Sequence, residues 1–226
     1  MNLISEIVRK AGALFGDDMQ TVQPYDGALD PAVYGQEHVI DELVIDESPS
    51  MDEPDYPPSR LAGAREAATR FLLRRQESEP KALVGVVGFS ANARVIARPL
   101  PVGEHLAELR RALQSLSTSP STNIAAGLKL ARREISRLRH PVSPRILLLT
   151  DGHSNAGPDP EDEARAIKRA GIQLDIIGIG WSPADVNEAS LKRMASIVGK
   201  ERQYWFIESV GELVRKFQTL ALREIK

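Results

Sequence analysis

A chain of 226 residues with 42% hydrophobic content can bury the core of one sizeable α/β domain plus a modest appendage, which excludes two full domains. It has no cysteine, so disulfides, thiolate metal sites and thiol nucleophiles are excluded, and a cytoplasmic protein is expected. The net charge of −2 is unevenly spread: residues 1–60 hold 13 of the 31 acids but only 3 of the 29 Lys and Arg. The basic remainder does not point to nucleic acid, because Arg132, Arg133 and Arg137 fall at helical spacings beside an apolar stripe, as on a solvated helix face.

Residues 2–15 place Leu3, Ile4, Ile7, Val8, Ala11, Leu14 and Phe15 on one face of a short amphipathic helix, with Gly16 as its stop. Glu6, Arg9 and Lys10 interrupt any signal-peptide core, and no long apolar run follows, so neither export nor a membrane span is expected. Residues 17–37 are acidic and broken by Pro24, Gly27, Pro31 and Gly35, as in a linker. The expected organisation is therefore 1–37, helix and linker, followed by one domain over 38–226.

From His38 short apolar runs alternate with helical patterns, the signature of parallel strands joined by crossover helices. Strands are predicted at 38–46, 83–89, 145–151, 172–179 and 203–207. Arg94 to Ala97 follows the second strand too closely for a helical crossover and is read as an antiparallel edge strand, ended by Pro99 and Pro101. Helices are predicted over 59–75, 104–116, 124–138, 160–170, 187–198 and 210–223. The expected fold is an α/β three-layer, doubly wound, mostly parallel sheet of about six strands with helices on both faces.

In such a sheet ligands bind beyond the carboxyl ends of the strands, where strand order reverses. Two predicted strands end there in carboxylates, Asp46 and Asp151. Asp46-Glu47-Ser48-Pro49-Ser50 can aim one carboxylate and two hydroxyls at one point, because alternate residues of an extended segment face the same way. Thr122, in the loop Pro120-Ser121-Thr122-Asn123, can add a third hydroxyl. Hard cations favour such an all-oxygen shell.

At these positions the chain resembles the von Willebrand factor type A family, whose metal-ion-dependent adhesion site combines D-x-S-x-S with a later Thr and a later Asp. Three further stretches carry the likeness: Val84 to Ser90 with the edge strand after it, Thr122-Asn123-Ile124-Ala125-Ala126-Gly127-Leu128, and Leu149-Thr150-Asp151-Gly152. The likeness spans about residues 38–224. It implies a Rossmann-like fold in which Ser48, Ser50 and Thr122 give hydroxyl oxygens to Mg²⁺ or Mn²⁺, while Asp46 and Asp151 act directly or through water. It further implies a non-enzymatic module that binds an Asp or Glu of a partner protein through the ion. The alternative is a regulatory or adaptor subunit of an AAA+ ATPase of the MoxR or chelatase type, which the acidic, tethered N-terminal helix would suit.

The chain departs from the family pattern at Pro49, where relatives carry a small residue such as Gly, and at Glu47. Pro49 stiffens the loop but is compatible with many turns. Asp52, Glu53 and Asp55 either strengthen cation capture, block the open position or form a solvated rim. His153 is read as a rim residue. Gly152-His153-Ser154-Asn155-Ala156-Gly157 misses the G-x-S-x-G nucleophile elbow because Ala156 replaces the second glycine. Gly85 and Gly88 lie inside a strand and make no dinucleotide fingerprint.

Overall fold

The structure, a computed structural model, describes residues 38–138 and 141–223. The expected N-terminal helix and acidic linker, and with them the feature that suited an ATPase adaptor, lie outside the described residues. The main sheet contains β1 (His38–Asp46), β2 (Leu83–Phe89), β3 (Ala93–Pro101), β4 (Pro141–Thr150), β5 (Gln173–Ile179) and β8 (Tyr204–Ile207). Its order is β3-β2-β1-β4-β5-β8. All neighbours are parallel except β2 and β3, which run antiparallel. The chain thus winds outward in both directions from β1, and order reverses between β1 and β4.

The central strands are fully covered on both faces, as their unbroken Val, Leu and Ile runs require. On one face lie α1 (Arg60–Ser78), α2 (Val102–Gln114) and α6 (Val210–Ala221), whose Phe71, Leu72, Leu109, Leu213 and Phe217 join Leu43, Ile45, Leu147 and Ile177 in one core. Phe71 and Phe217 meet edge to face at 6.2 Å, pinning α6 to α1. On the other face lie α3 (Ile124–Ser136), α4 (Pro160–Arg169) and α5 (Glu188–Met194). Gly127 sets the approach of α3 to the sheet, because a Cβ there would come 2.8 Å from the Phe89 ring.

Several boundaries differ from the sequence reading. β3 continues through Pro99 to Pro101 instead of stopping at Ala97. It is an edge strand with register shifts, where a residue lacking N–H is tolerated on the unpaired side. The helix predicted over 187–198 ends at Met194, and β6 (Ile197–Val198) pairs with β7 (Glu201–Arg202) in a two-stranded ribbon. Gly199, at φ 61°, forms the turn between them, a conformation open to glycine without a Cβ penalty.

A buried charge network crosses the sheet toward α1. Arg145, with no exposed surface, pairs with Asp41 at 2.6 Å and lies 3.6 Å from Asp175, while Arg75 reaches Asp41 at 2.9 Å. Both guanidinium groups lie 5.7 Å from the Phe71 ring centre. Asp41 sits five residues before Asp46 on β1, roughly 16 Å away along the strand, so the network belongs to the opposite half of the sheet from Asp46.

Candidate metal centre at the carboxyl edge

At the end of β1 the chain turns through Ser48 into a short 3-10 turn, Pro49–Asp52. Pro49 is its first residue, where the missing N–H has no partner to lose and the fixed φ suits the turn. Met51 is fully buried and its N–H bonds the Ser48 carbonyl at 3.0 Å, so the departure at Pro49 leaves a closed, anchored turn. Asp46 accepts the Ser48 N–H on Oδ1 at 2.7 Å, folding the loop back over the strand end. Ser48 and Ser50 bring their Oγ atoms to 3.0 Å, and Ser50 donates a short hydrogen bond to Asp151 Oδ2.

Asp151 reaches this point because β4 lies beside β1. Thr150 donates from Oγ1 to Asp46 Oδ2 at 2.6 Å and accepts the Gly152 N–H at 3.0 Å. Gly152, at φ 82°, makes the turn that follows, and its backbone is closely covered by Leu191. Asp46, Ser48, Ser50 and Asp151 therefore converge in one hydrogen-bonded cluster. Thr122, also buried, stands on the adjoining loop and is fixed there through its backbone. Asn155 Oδ1 accepts the Thr122 N–H at 2.9 Å, and the Asn155 and Ala156 N–H groups donate to the Thr122 carbonyl at 3.0 and 3.1 Å.

That loop is tied to the end of β1 by Glu47, whose backbone carbonyl accepts the Ser119 N–H at 2.7 Å. The Glu47 side chain, only 3% exposed, accepts from Arg94 at 2.6 Å and from the Ser117 N–H at 2.7 Å. Glu47 is thus a structural brace, and it occupies the space where a Cβ on Gly88 would lie. The three nearby acids separate as well. Asp52 accepts from Thr118 at 2.6 Å, Glu53 is exposed, and Asp55 turns inward to clamp Arg60.

The set is fully oxygen-based, two carboxylates and neighbouring hydroxyls, and among the described residues no group of three or more His, Cys, Asp or Glu forms a site. Burial, together with the Asp151 charge, pushes Asp46 up to about 7, against the Thr150 and Ser48 hydrogen bonds that lower it. A buried carboxylate facing a second one is relieved by a cation between them. The donor chemistry fits a hard divalent ion held by few charged ligands. His153 instead approaches the Asp185 carbonyl through Nε2 at 2.6 Å, and Ser154 Oγ faces the Thr122 and Ala156 carbonyls at 3.3 Å.

Sequence reasoning did not single out Arg60, Thr150 or Asn155 at this edge, and it placed Asp55 among the acids near the cation rather than as the partner of Arg60. Arg60 left a signal: it is the first residue of α1, where a positive charge opposes the helix dipole. Thr150 and Asn155 left none, since their partners are 104 and 33 residues away.

Residues 43–219 match the von Willebrand factor type A domain. Over 202 residues the chain is 29% identical to a UPF0353 protein of Mycolicibacterium paratuberculosis, covering 79% of this chain and 58% of that one. It is 33% identical over 146 residues to the uncharacterized protein YfbK of Escherichia coli, covering 62% of this chain and 24% of that protein. The chain therefore spans little more than half of the first relative. Among solved structures, a von Willebrand factor type A protein from Catenulispora acidiphila superposes with a TM-score of 0.66 at 22% identity, over 82% of this chain and 42% of that one. Proximal thread matrix protein 1 of the mussel byssus, solved with a zinc-occupied adhesion motif, gives 0.65 at 20% identity, over 83% and 48%.

Proposed function

The chain belongs to the von Willebrand factor type A domain family, and from that premise we propose that it is a non-enzymatic module that docks an acidic side chain of a partner protein through a bound Mg²⁺. Ser48, Ser50 and Thr122 would supply hydroxyl oxygens, with Asp46 and Asp151 acting directly or through water. The bound ion supplies a Lewis acid with an open position, since few charged ligands neutralise it and Mg²⁺ gives up its last waters reluctantly. Mn²⁺ would suit the same oxygen donors.

The observation that carries this reading is the convergence of Ser48, Ser50 and Asp151 on one hydrogen-bonded point beside Asp46, a buried carboxylate that Asp151 disfavours in its charged form. The protein's own residues do the positioning. Thr150 and the Ser48 N–H hold both Asp46 oxygens, Glu47 braces the hydroxyl-bearing loop, and the Pro49 turn fixes Ser50 against Asp151. The zinc in the mussel protein lends support by analogy.

Calorimetric titration of Mg²⁺ into wild type and Asp46→Ala tests the metal. Binding heat in wild type that disappears in the variant is expected, and equal heats would overturn the reading. A pull-down with and without chelator tests the docking. A partner retained equally in chelator would remove the bridging role of the ion.

A further inference from the structure

We propose that Arg60 determines the specificity of this edge for carboxylates: its Nη1, ion-paired with Asp151 but not hydrogen-bonded to it, holds the second oxygen of the docked carboxylate while the first occupies the ion's open position. The inference rests on the docking reading above and deepens it.

Arg60 opens α1 after the N-cap Ser59, at the helix end whose partial positive charge disfavours a cation. It is also buried, only 6% exposed, so desolvation opposes its charge as well. Asp55 offsets both effects. Arg60 Nε donates to Asp55 Oδ1 and Oδ2 at 2.8 and 2.9 Å, and Nη2 donates to Oδ2 at 2.7 Å. The Asp55 side chain is 2% exposed, so this is a fixed, desolvated fork rather than a surface pair.

That clamp commits one edge of the guanidinium and fixes its plane. The remaining nitrogen, Nη1, lies 3.6 Å from Asp151 Oδ2, too far for a hydrogen bond. Asp151 Oδ2 is already engaged by Ser50. Two rigidly held N–H donors therefore border the oxygen cluster without closing on it.

Charge balance gives this edge its selectivity. Asp46 and Asp151 would offset part of a bound divalent ion's charge, and the Arg60 and Asp55 charges cancel each other while leaving Nη1 on the side of Asp151. A carboxylate that gives one oxygen to the ion leaves its second oxygen desolvated unless a donor meets it, and an unmet charged acceptor is costly. Nη1 is the donor positioned to meet it. A neutral amide or hydroxyl ligand carries no second anionic oxygen and gains nothing from Arg60. Lysine would not reproduce the effect, because a single ammonium lacks the planar fork that satisfies Asp55 on one edge and a ligand on the other.

The test uses the full chain loaded with Mn²⁺ and follows water-proton relaxation during titration with acetate, which reports displacement of metal-bound water. Two variants are compared after thermal melts establish that they fold: Arg60→Lys, and the double variant Asp55→Asn/Arg60→Gln, which leaves no orphaned buried charge. Both are expected to keep Mn²⁺ affinity while acetate binding weakens about tenfold, the contribution of one charge-assisted hydrogen bond, with acetamide binding unchanged. Acetate affinity equal to wild type in both variants would make Arg60 a structural tie only and overturn the assignment while leaving the docking reading intact. Loss of Mn²⁺ binding by folded variants would also overturn it, by making Arg60 part of the metal architecture. A wild type that binds no Mn²⁺ would remove the docking reading and this inference with it.

Discussion

Ser50 donates its hydroxyl to Asp151 across 101 residues of sequence, closing the loop after β1 against the end of β4. The bond exists because β4 is the parallel neighbour of β1 at the point where strand order reverses. It joins the two halves of the candidate site and leaves Asp46 buried beside a second carboxylate, with direct consequences for stability.

Asp46 makes the metal-free protein lose stability as pH rises. Its carboxyl is raised from 3.8 to about 7 by burial and by Asp151, so between those values the folded state holds more protons than the unfolded one. Stability falls through that window and levels off above it, by on the order of 4 kcal/mol at most. Denaturant unfolding in chelator from pH 4 to 8 should show the decline. Asp46→Asn should make it shallower, leaving the share due to Glu42 and Asp175, and saturating Mg²⁺ should oppose it by stabilising the folded state. A wild-type profile that rises across this range would contradict the assignment.

Glu42 is a second carboxylate working against the fold, on β1 between Gly85 of β2 and Ile146 of β4. It has no exposed surface, neither oxygen has a hydrogen-bond partner, and burial first, then the Glu134 charge, raise its pKa well above 4.5. Glu134, from α3, is itself paired with Arg137. Glu42→Met should stabilise the protein by roughly 1–3 kcal/mol at pH 8. The gain should be smaller at pH 5 than at pH 8, because a carboxyl whose pKa is raised by burial costs the fold more as pH rises. Equal gains at both pH values would show that packing, not charge, is responsible.

Gly88 and Glu47 should behave as one unit. A Cβ at Gly88 displaces the Glu47 carboxylate and with it the tie to Arg94 and Ser117, so Gly88→Ala should cost about 1–3 kcal/mol. In Glu47→Ala the space is vacant, and adding Gly88→Ala there should cost far less than in wild type. Additive effects in a double-mutant cycle would disprove the coupling.

Arg145→Met should destabilise by about 3–5 kcal/mol, since it leaves Asp175 without its guanidinium and Asp41 with Arg75 alone. Mg²⁺ binding per folded molecule should be unchanged, because the network sits in the opposite half of the sheet. Calorimetry on the folded fraction separates the two outcomes.

Local composition alone determined the α/β class and the main strands and helices, though not where each one begins and ends. The runs of β2, β4 and β5 are apolar on both faces, Asp46 ends β1 and Asp151 directly follows β4, so the α/β class and the two carboxylates at the sheet edge were legible in the sequence. The β6–β7 ribbon and the passage of β3 through Pro99 were not, because two-residue pairings and edge tolerance depend on what lies alongside. Only the tertiary structure decided what each polar residue at the edge faces. It made Glu47 a brace, turned Asp55 away to clamp Arg60, and set Nη1 of Arg60 in a 3.6 Å ion pair with Asp151. Residue type and spacing fix what a side chain can bond, but its partner is set by which distant strand ends lie within about 3 Å.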